Sequence, residues 1–391
     1  MNEFSYLLPP LQPGALGAYL ERIGVDMAVD DDSRYHYLFV CYSPSPPPKG
    51  FRELSARFPE ICRLDRHPFL GSRLVAVLNC SSMEQVSDCA SKLHCSQVAD
   101  GIRNGLRSPP SPSFKLRGRN WTNGRPRIMG ILNVTPDSFY DGGLHYQKED
   151  YSALARKMIE AGADAIDIGG ESTRPGSKPV DEREELKRIL PALTQIRRNF
   201  DIPISVDTVK PNVADEALRA GADLVNDVSG LKAGRAMLEV VKRHRASYCL
   251  MHTQGNPETM QIYPTYTDVL AEVYSFFRRK LEFCRSHGLE RERILLDPGI
   301  GFGKRLDHNL DLLRFLSVFC GFGCLVLQGS SNKSFIGTLL GRDIEHRVSG
   351  TLASQALGWG AGATVFRVHQ VAENRDATGM AAAYAERGSS K

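Results

Sequence analysis

The sequence predicts a closed barrel of eight parallel strands and their crossover helices, preceded by a small N-terminal α/β domain. From about residue 125 onward, short apolar runs rich in β-branched residues alternate with amphipathic stretches at helical spacing, which is typical of parallel strands joined by helices. Eight such units over about 265 residues fit a (β/α)8 TIM barrel. The competing architecture, an open doubly wound sheet, would carry G-x-G-x-x-G after its first strand, and that fingerprint is absent from the sequence there.

The predicted strands and helices alternate along this region. The strands are Ile128–Val134, Ala163–Ile168, Ile204–Val206, Leu224–Val225, Ser247–Leu250, Ile294–Leu296, Cys324–Leu327 and Thr364–Phe366. The helices include Tyr151–Ala161, Asp181–Arg198, Val213–Ala220, Ala236–Arg243, Val269–His287, Leu310–Phe319 and a long final helix from about Glu373. Two helices end in Ala-Gly-Ala-Asp, so Gly162 and Gly221 are expected to close them in the left-handed conformation.

Two proline-rich segments, Ser43–Pro48 and Ser108–Ser113, divide the N-terminal third. Proline lacks an N–H group and fixes φ, so neither segment fits inside a helix or a central strand. We therefore expect a small α/β domain of unknown role over residues 1–107 and a Pro/Ser-rich, basic linker over 108–124. The barrel domain is expected over 125–391.

Composition and charge restrict the class of protein. Lys and Arg total 49 against 45 Asp and Glu, a formal charge of +4 on 391 residues. This balance argues against nucleic acid or an anionic membrane as the main partner. The chain contains no 18-residue apolar stretch, and it begins Met1-Asn2-Glu3-Phe4, with an acid where a secretory signal carries bases. We expect a cytoplasmic protein that has no membrane partner.

The nine cysteines form no C-x-x-C pair, so the sequence gives little support for a metal knuckle. In a cytoplasmic protein they are expected to be reduced and to pack as small apolar side chains.

Polar residues follow every predicted strand of the barrel, where catalytic groups lie in this architecture. The segments in chain order are Asn133–Gly143, Asp167–Gly176, Ser205–Thr208, Asn226–Asp227, Met251–His252, Asp297–Lys304, Gln328–Ser334 and Arg367–His369. Hydrophobic packing alone does not require such residues at each strand end. The repetition therefore predicts a polar site at the barrel mouth.

These segments resemble the dihydropteroate synthases, a family of pterin-binding barrels, over about residues 126–385. The motifs are G-I-L-N-V-T-P-D-S-F, G-G-E-S-T-R-P-G, S-V-D-T, L-D-P-G-I-G-F-G-K, K-S-F-I-G and R-V-H. The resemblance implies a transferase of folate biosynthesis. In its reaction 4-aminobenzoate attacks the methylene carbon of 7,8-dihydropterin-6-ylmethyl diphosphate, giving 7,8-dihydropteroate and diphosphate. It also implies Mg²⁺ as a cofactor, a homodimer and inhibition by sulfonamides.

The physical chemistry of the same residues agrees with a pterin ligand. A dihydropterin has an edge of adjacent N–H donors that suits a buried carboxylate. Asp207 and Asp297 have the right type and strand position for that edge, and Asn226 can both donate and accept beside it. Lys333 would donate to the ring carbonyl and N5. Either aspartate could instead merely cap the helix that follows its strand.

The diphosphate requires groups that bind anions. Arg367 and His369 are two residues apart on one strand, so they share a face and can bind phosphate oxygens. Asn133 offers an oxygen of the kind that Mg²⁺ prefers. These groups would stabilise the charge that develops on the leaving diphosphate. Taken alone, an Arg-x-His pair would rather be a salt-bridged pair at the rim.

The resemblance also assigns the aminobenzoate pocket and one further pterin contact. The loops after the first two strands build the pocket, and Asp167 forms its wall on the pterin side. The lining residues are expected to be Phe139, Thr173, Arg174, Pro175 and Ser331. Gly142 and Gly143 suit a loop that closes over substrate, or an ordinary turn.

No acid–base residue is required for the attack, because an arylamine is a free nucleophile at neutral pH. The expected catalytic devices are positioning and leaving-group stabilisation by Asn133, Lys333, Arg367 and His369.

Two positions depart from the family pattern. Asn332 stands where the family usually has Arg, and Gln370 stands where it usually has Asp. Asn332 lacks the planar guanidinium of Arg, which could stack on the pterin. Two alternatives therefore stay open: a catalytically weakened pterin-binding paralogue or scaffold subunit, and a methyltransferase acting between methyltetrahydrofolate and a corrinoid protein. The latter has no diphosphate to bind.

Overall fold

The computed structural model describes most of the chain. The described residues are 4–8, 13–23, 25, 27, 37–43, 47–67, 70–78, 80–93, 95, 98, 102, 112–135, 150–172, 177, 179–256 and 259–388. The chain divides into two compact units: Met1–Pro110 together with Tyr266–Ser275, and Ser111–Thr265 together with Phe276–Lys391. The first unit thus contains ten residues that the sequence places in the barrel region.

The first unit contains an antiparallel four-stranded sheet in the order β1-β2-β4-β3. Its strands are β1 Phe4–Leu7, β2 Tyr37–Ser43, β3 Cys62–His67 and β4 Gly71–Leu78, and its helices are α1 Pro13–Arg22, α2 Lys49–Arg57 and α3 Cys80–Lys92. Phe39, Phe51, Leu74 and Val86 are fully or nearly fully buried in its core. The predicted small α/β region is confirmed.

A hairpin lies where the sequence suggests a linker. Its strands are β5 Ser113–Leu116 and β6 Arg119–Thr122. Phe114 and Trp121 have ring centroids 6.0 Å apart, and they join a buried cluster with Leu224 and Val365, which begin barrel strands. The predicted linker 108–124 thus includes a hairpin, which apolar burial at the amino end of the barrel orders.

Eight parallel strands form a closed barrel in the order β10-β11-β12-β13-β14-β7-β8-β9. They are β7 Arg127–Asn133, β8 Ala165–Gly169, β9 Ile204–Asp207, β10 Leu224–Asp227, β11 Ser247–Met251, β12 Ile294–Asp297, β13 Leu325–Gln328 and β14 Val365–Val368. β14 closes the ring on β7, with Arg367 opposite Met129. The predicted TIM barrel is confirmed, and each strand lies within two residues of its predicted bounds.

The barrel helices follow the predicted rhythm with two differences. They are α4 Tyr151–Glu160, α5 Glu182–Asn199, α6 Pro211–Arg219, α7 Arg235–Arg243, α8 Val269–Ser286, α9 Leu306–Arg314, α10 Ser317–Cys320, α11 Ser334–Leu340, α12 Val348–Gly360 and α13 Val371–Gly388. The predicted helix Leu310–Phe319 is two helices, because the chain turns at the buried pair Phe315 and Leu316. Helices α11 and α12 were absent from the prediction, since glycines within them weaken the helical pattern.

The helix ends and cysteines agree with the sequence. Gly162 and Gly221 have φ values of 96° and 109°, the left-handed conformation expected after α4 and α6. Of the eight cysteines whose side chains the structure describes, all except Cys320 are buried. None of the helices within the described ranges has the length and apolarity needed to cross a membrane.

Candidate active site

The carboxyl ends of the barrel strands carry the predicted polar residues. Asp207 is the last residue of β9 and Asp297 the last of β12, while Asp167, Asn226 and Arg367 lie within one or two residues of the ends of β8, β10 and β14. Because all eight strands are parallel, these ends share one mouth. The structure therefore brings these five residues to the same end of the barrel.

Arg367 bridges two of the carboxylates. Its Nε donates to Asp167 Oδ2 at 2.6 Å and its Nη2 to Asp207 Oδ2 at 2.8 Å. The Asp167 side chain is fully buried, and those of Asp207 and Arg367 are 7% and 20% exposed. Nη1 makes no hydrogen bond within the described part of the chain, so one edge of the guanidinium is left for a ligand anion.

Further carboxylates act on the Asp207 end of the bridge. Burial raises the pKa of Asp207 to about 8, and the carboxylates of Asp167, Glu185 and Asp227 add to this while Arg367 opposes it. Burial would lower the pKa of Arg367, but the attraction of Asp167 and Asp207 raises it overall. The guanidinium therefore stays charged, while burial favours the protonated form of Asp207.

Asp297 and Lys333 lie close to each other, beside Gly329. A Cβ placed on Gly329 would lie 3.7 Å from Asp297 Oδ2 and 3.8 Å from Lys333 Nζ. Burial raises the pKa of Asp297 and lowers that of Lys333 to about 8, and in each case the other charge opposes the shift. Lys333 Nζ donates to the Ile300 carbonyl and lies 4.4 Å from the centroid of the Phe302 ring.

Two buried acceptors in the mouth are unsatisfied. Asp167 Oδ1 and Asn226 Oδ1 have no hydrogen-bond partner among the described residues. An unpaired buried oxygen is costly, and a ligand N–H would satisfy it. Their neighbour Asp207 lines a cavity of about 250 Å³, together with residues that include Glu171, Thr208, Val228, Thr253 and Phe302. The site thus offers acceptors and space to a ligand rich in donors.

His369 and Asn133 mark the outer part of the mouth. Ser331 Oγ is 2.9 Å from His369 Nδ1 and accepts from the His369 backbone N–H at 3.2 Å. Ser331 is two residues before Lys333, so the exposed His369 is tied to the same loop. Asn133 is exposed, and its Oδ1 would lie 3.5 Å from a Cβ on Gly169.

The remaining predicted pocket residues lie outside the described residues. They are Phe139, Gly142, Gly143, Thr173, Arg174 and Pro175. Ser331 is the only member of the predicted aminobenzoate lining that the described ranges include.

The structure adds residues that carry no role in the sequence predictions. Lys304 is buried; its Nζ lies 3.1 Å from His252 Nδ1 and donates to the Phe302 carbonyl at 3.0 Å. Burial lowers the pKa of Lys304 to about 7. Lys210 donates to Glu171 and, at 2.5 Å, to the buried Glu185. Lys304 ends a glycine-rich run, which is a weak signal, while Lys210 stands in no pattern that would single it out.

Comparison with known proteins agrees with this geometry. The pattern of the pterin binding enzymes matches residues 129–369. The chain is 47% identical over 252 residues to the dihydropteroate synthase of Escherichia coli, covering 64% of this chain and 89% of that one. It is 45% identical over 248 residues to that of Synechocystis, covering 63% and 86%.

Solved structures give the same result. The dihydropteroate synthase of Yersinia pestis in complex with a sulfonamide drug has a TM-score of 0.66 and 42% identity, covering 70% of this chain and 99% of that one. The enzyme of Xanthomonas albilineans with 4-aminobenzoic acid has a TM-score of 0.65 and 41% identity, covering 72% and 100%.

Proposed function

The chain belongs to the pterin-binding enzyme family and, within it, to the dihydropteroate synthases; from this premise we infer which residues carry each part of the reaction. It is a transferase of folate biosynthesis that condenses 7,8-dihydropterin-6-ylmethyl diphosphate with 4-aminobenzoate. The products are 7,8-dihydropteroate and diphosphate. Neither the scaffold subunit nor the corrinoid methyltransferase is supported by these relatives.

The pterin is assigned to the buried acceptors of the mouth. The observation that carries this assignment is the pair of unsatisfied oxygens, Asp167 Oδ1 and Asn226 Oδ1, next to the Asp207 carboxylate. The N–H donors of the pterin edge match these acceptors, as a charge-assisted fork where the carboxylates are ionised. Asp297 supplies a further acceptor, and Lys333 donates to the ring carbonyl and N5.

The diphosphate is assigned to the cations beside the pterin. Arg367 Nη1 is available for a phosphate oxygen while Nε and Nη2 remain on the carboxylates. His369 lies exposed at the mouth on the same strand end. Together they stabilise the negative charge that grows on the leaving group.

Mg²⁺ fits as a metal that arrives with the diphosphate. The described residues contain no group of three or more His, Cys, Asp or Glu side chains able to hold a metal ion. Asn133 Oδ1, beside Gly169, is an oxygen donor of the type that Mg²⁺ takes. The remaining ligands would be phosphate oxygens and water, and the bound ion would neutralise diphosphate charge.

The chemical step is a displacement at the methylene carbon. The amine nitrogen of 4-aminobenzoate forms the new C–N bond, the C–O bond to diphosphate breaks, and the amine proton leaves to water or to diphosphate. Ser331, tied to His369, is assigned to the aminobenzoate pocket with Phe139, Thr173, Arg174 and Pro175. The Xanthomonas and Yersinia complexes support binding of 4-aminobenzoate and of sulfonamides by this chain.

Calorimetry with the pterin diphosphate tests these assignments. Binding is expected to strengthen with Mg²⁺, and diphosphate is expected to be released only when 4-aminobenzoate is added. Asp207→Asn is expected to abolish binding of both free pterin and its ester, whereas Asp181→Asn, at the start of α5, serves as the control. Unchanged pterin affinity in Asp207→Asn would contradict the proposed clamp.

A homodimer is proposed from apolar residues on the last three helices and the turn between them. Six large apolar side chains there are 49–86% exposed: Leu339, Leu340, Ile344, Leu357, Met380 and Tyr384. Exposed apolar surface of this extent is typical of a protein interface. In sedimentation velocity, the wild-type protein is expected to be a dimer and the Leu357→Asp variant a monomer. We propose a cytoplasmic location, which is consistent with the packing of the described cysteines as small, mostly buried side chains.

A further inference from the structure

Asn332 stands between two residues assigned to the active site. The strand-seven loop, residues 329–333, joins β13 to α11 and carries Ser331, Asn332 and Lys333 in succession. Asn332 has φ 55°, in the left-handed region that costs free energy for any residue except glycine. Such a conformation persists only where the surrounding structure fixes it. The contacts that fix Asn332 therefore also set the directions of Ser331 and Lys333.

Thr351 on helix α12 holds Asn332 at two atoms. Thr351 is fully buried, and its Oγ1 accepts from the backbone N–H of Asn332 at 3.0 Å while it donates to Asn332 Oδ1 at 3.3 Å. Arg347, the residue before α12, donates from Nη1 to the Asn332 carbonyl at 3.1 Å. The N–H and the C=O of Asn332 are thus both bonded to side chains at the start of one helix.

The same helix face also holds the beginning of the loop. Ser354 Oγ lies 3.0 Å from Ser330 Oγ, and Gln328 Nε2 donates to these two hydroxyls at 3.1 and 2.9 Å. Positions 347, 351 and 354 are four and three residues apart, so their side chains share one face of the helix. This face therefore binds the strand-seven loop at both Ser330 and Asn332.

Ser331 and Lys333 each make a contact across the barrel mouth that depends on this backbone. Ser331 Oγ is 2.9 Å from His369 Nδ1, and Lys333 Nζ donates to the Ile300 carbonyl. A Cβ on Gly301 would lie 2.8 Å from Lys333 Cδ, so the lysine stem packs tightly against the loop after β12. A rotation of the backbone between them would move both side chains out of these contacts, and small misplacements of positioning groups slow a reaction strongly.

We propose that Thr351 is a positioning residue for the synthase reaction. By fixing Asn332, it holds Ser331 in place for 4-aminobenzoate and Lys333 in place for the pterin. This role rests on the substrate assignments given above and extends them to a helix behind the strand-seven loop. Because Thr351 acts through the backbone of Asn332, one buried hydroxyl bears on the binding of both substrates.

Substitutions at Thr351 test this role in the full-length protein. Thr351→Val keeps the shape of the side chain and leaves the Asn332 N–H without its acceptor. Thr351→Ser keeps the hydroxyl and is expected to preserve wild-type behaviour. Thr338→Val is the matched control, because Thr338 is exposed on the neighbouring α11 and its hydroxyl donates to the Ser334 carbonyl of its own helix at 3.2 Å.

The measurements are hydrogen exchange of peptides covering 329–335, thermal unfolding, and kcat and KM for both substrates well below the unfolding temperature. In Thr351→Val the loop is expected to exchange on the order of tenfold faster, kcat to fall about tenfold, and KM for 4-aminobenzoate to rise severalfold. The alkaline limit of pterin binding is expected to move to higher pH, because burial lowers the pKa of Lys333 and a loosened loop admits water to it. A loss of global stability alone would leave kcat, KM and this pH limit unchanged at that temperature.

Faster loop exchange in Thr351→Val with wild-type kcat, KM and pH profile would overturn the positioning role, and so would equal effects in Thr338→Val. If Thr351→Val does not fold, Arg347→Met removes the bond to the Asn332 carbonyl instead. It is expected to show the same changes to a smaller degree, and wild-type behaviour of this variant would contradict the role. The exchange readout does not depend on the catalytic assignments, so unchanged exchange overturns the role even where the protein is an active synthase. Inactivity of the wild-type protein would instead contradict the proposed function.

Discussion

Asn332 and Gln370, the two departures from the family pattern, contact each other: Asn332 Nδ2 donates to Gln370 Oε1 at 3.4 Å. Where the family usually has Arg and Asp, this chain has two neutral amides. Asn332 has φ 55°, in the left-handed region where Asn is favoured over most residues. The two positions therefore form one structural unit, and Arg367 and His369, the proposed diphosphate ligands, are unchanged.

Because Asn332 and Gln370 contact each other, mutations at the two positions are expected to have non-additive effects on stability. Asn332→Arg and Gln370→Asp are each expected to lower stability, since each introduces a charge without its partner. The double variant is expected to recover about 1 kcal/mol through the new ion pair and to bind pterin more tightly by stacking. Urea unfolding of all four proteins measures the coupling. Strictly additive effects would show that the two positions act independently.

The Arg367 bridge predicts a large loss of stability. Arg367→Met leaves Asp167 and Asp207 buried without their counter-charge, which costs about 3 kcal/mol. Adding Asp207→Asn removes one of the two repelling carboxylates, so we expect part of that loss to be regained. Thermal and urea unfolding measure both variants. If Asp207→Asn lowered the free energy of unfolding as much in the Arg367→Met background as in the wild-type protein, the bridge would contribute little to stability.

Pterin binding is expected to be greatest near pH 8. Burial raises the pKa of Asp207 to about 8, so both of its oxygens become acceptors, as a charged fork, only as pH rises. Burial lowers the pKa of Lys333 to about 8, so its ammonium is lost above that pH. Affinity should therefore fall both below and above pH 8. The apparent pKa values of the two limbs belong to the interacting groups together and not to either residue alone.

Titration calorimetry from about pH 6 to about pH 10 measures this profile. Lys333→Met is expected to lose the alkaline limb while keeping the acidic one. Lys187→Met, on the exposed face of α5, is the control and should keep both limbs. A flat profile in the wild-type protein would exclude Asp207 as the titrating acceptor.

Lys304 predicts that stability rises with pH in the alkaline range. Burial lowers the pKa of Lys304 to about 7 in the folded protein, against 10.5 when unfolded. Between these values the unfolded chain binds more protons, so the free energy of unfolding increases with pH, by about 1 kcal/mol per unit at most. Lys333 contributes in the same direction. Lys304→Met is expected to flatten this rise in urea titrations from about pH 8 to about pH 10, and Lys187→Met to leave it unchanged.

The amino-acid sequence determined the barrel and the content of its mouth. The period of apolar residues is a local property, and it separated strands such as Ile204–Asp207 from helices such as Glu182–Asn199. In any parallel barrel the carboxyl ends of the strands meet, so Asp207, Asp297 and Arg367 could be assigned to one site before their distances were known. Within the barrel, local pattern failed where glycines or apolar turns obscured it, as in α11 and α12.

Tertiary structure alone decided which partners these groups have. Arg367 donates to residues 160 and 200 positions away in the chain, so its pairing with carboxylates left no local signal. The same holds for Asp268, whose hydrogen-bond donor Tyr6 lies 262 residues before it, and for the hairpin that fills the amino end of the barrel. Such contacts depend on how distant elements pack, and packing converted a set of predicted side chains into bridged charges and unsatisfied acceptors.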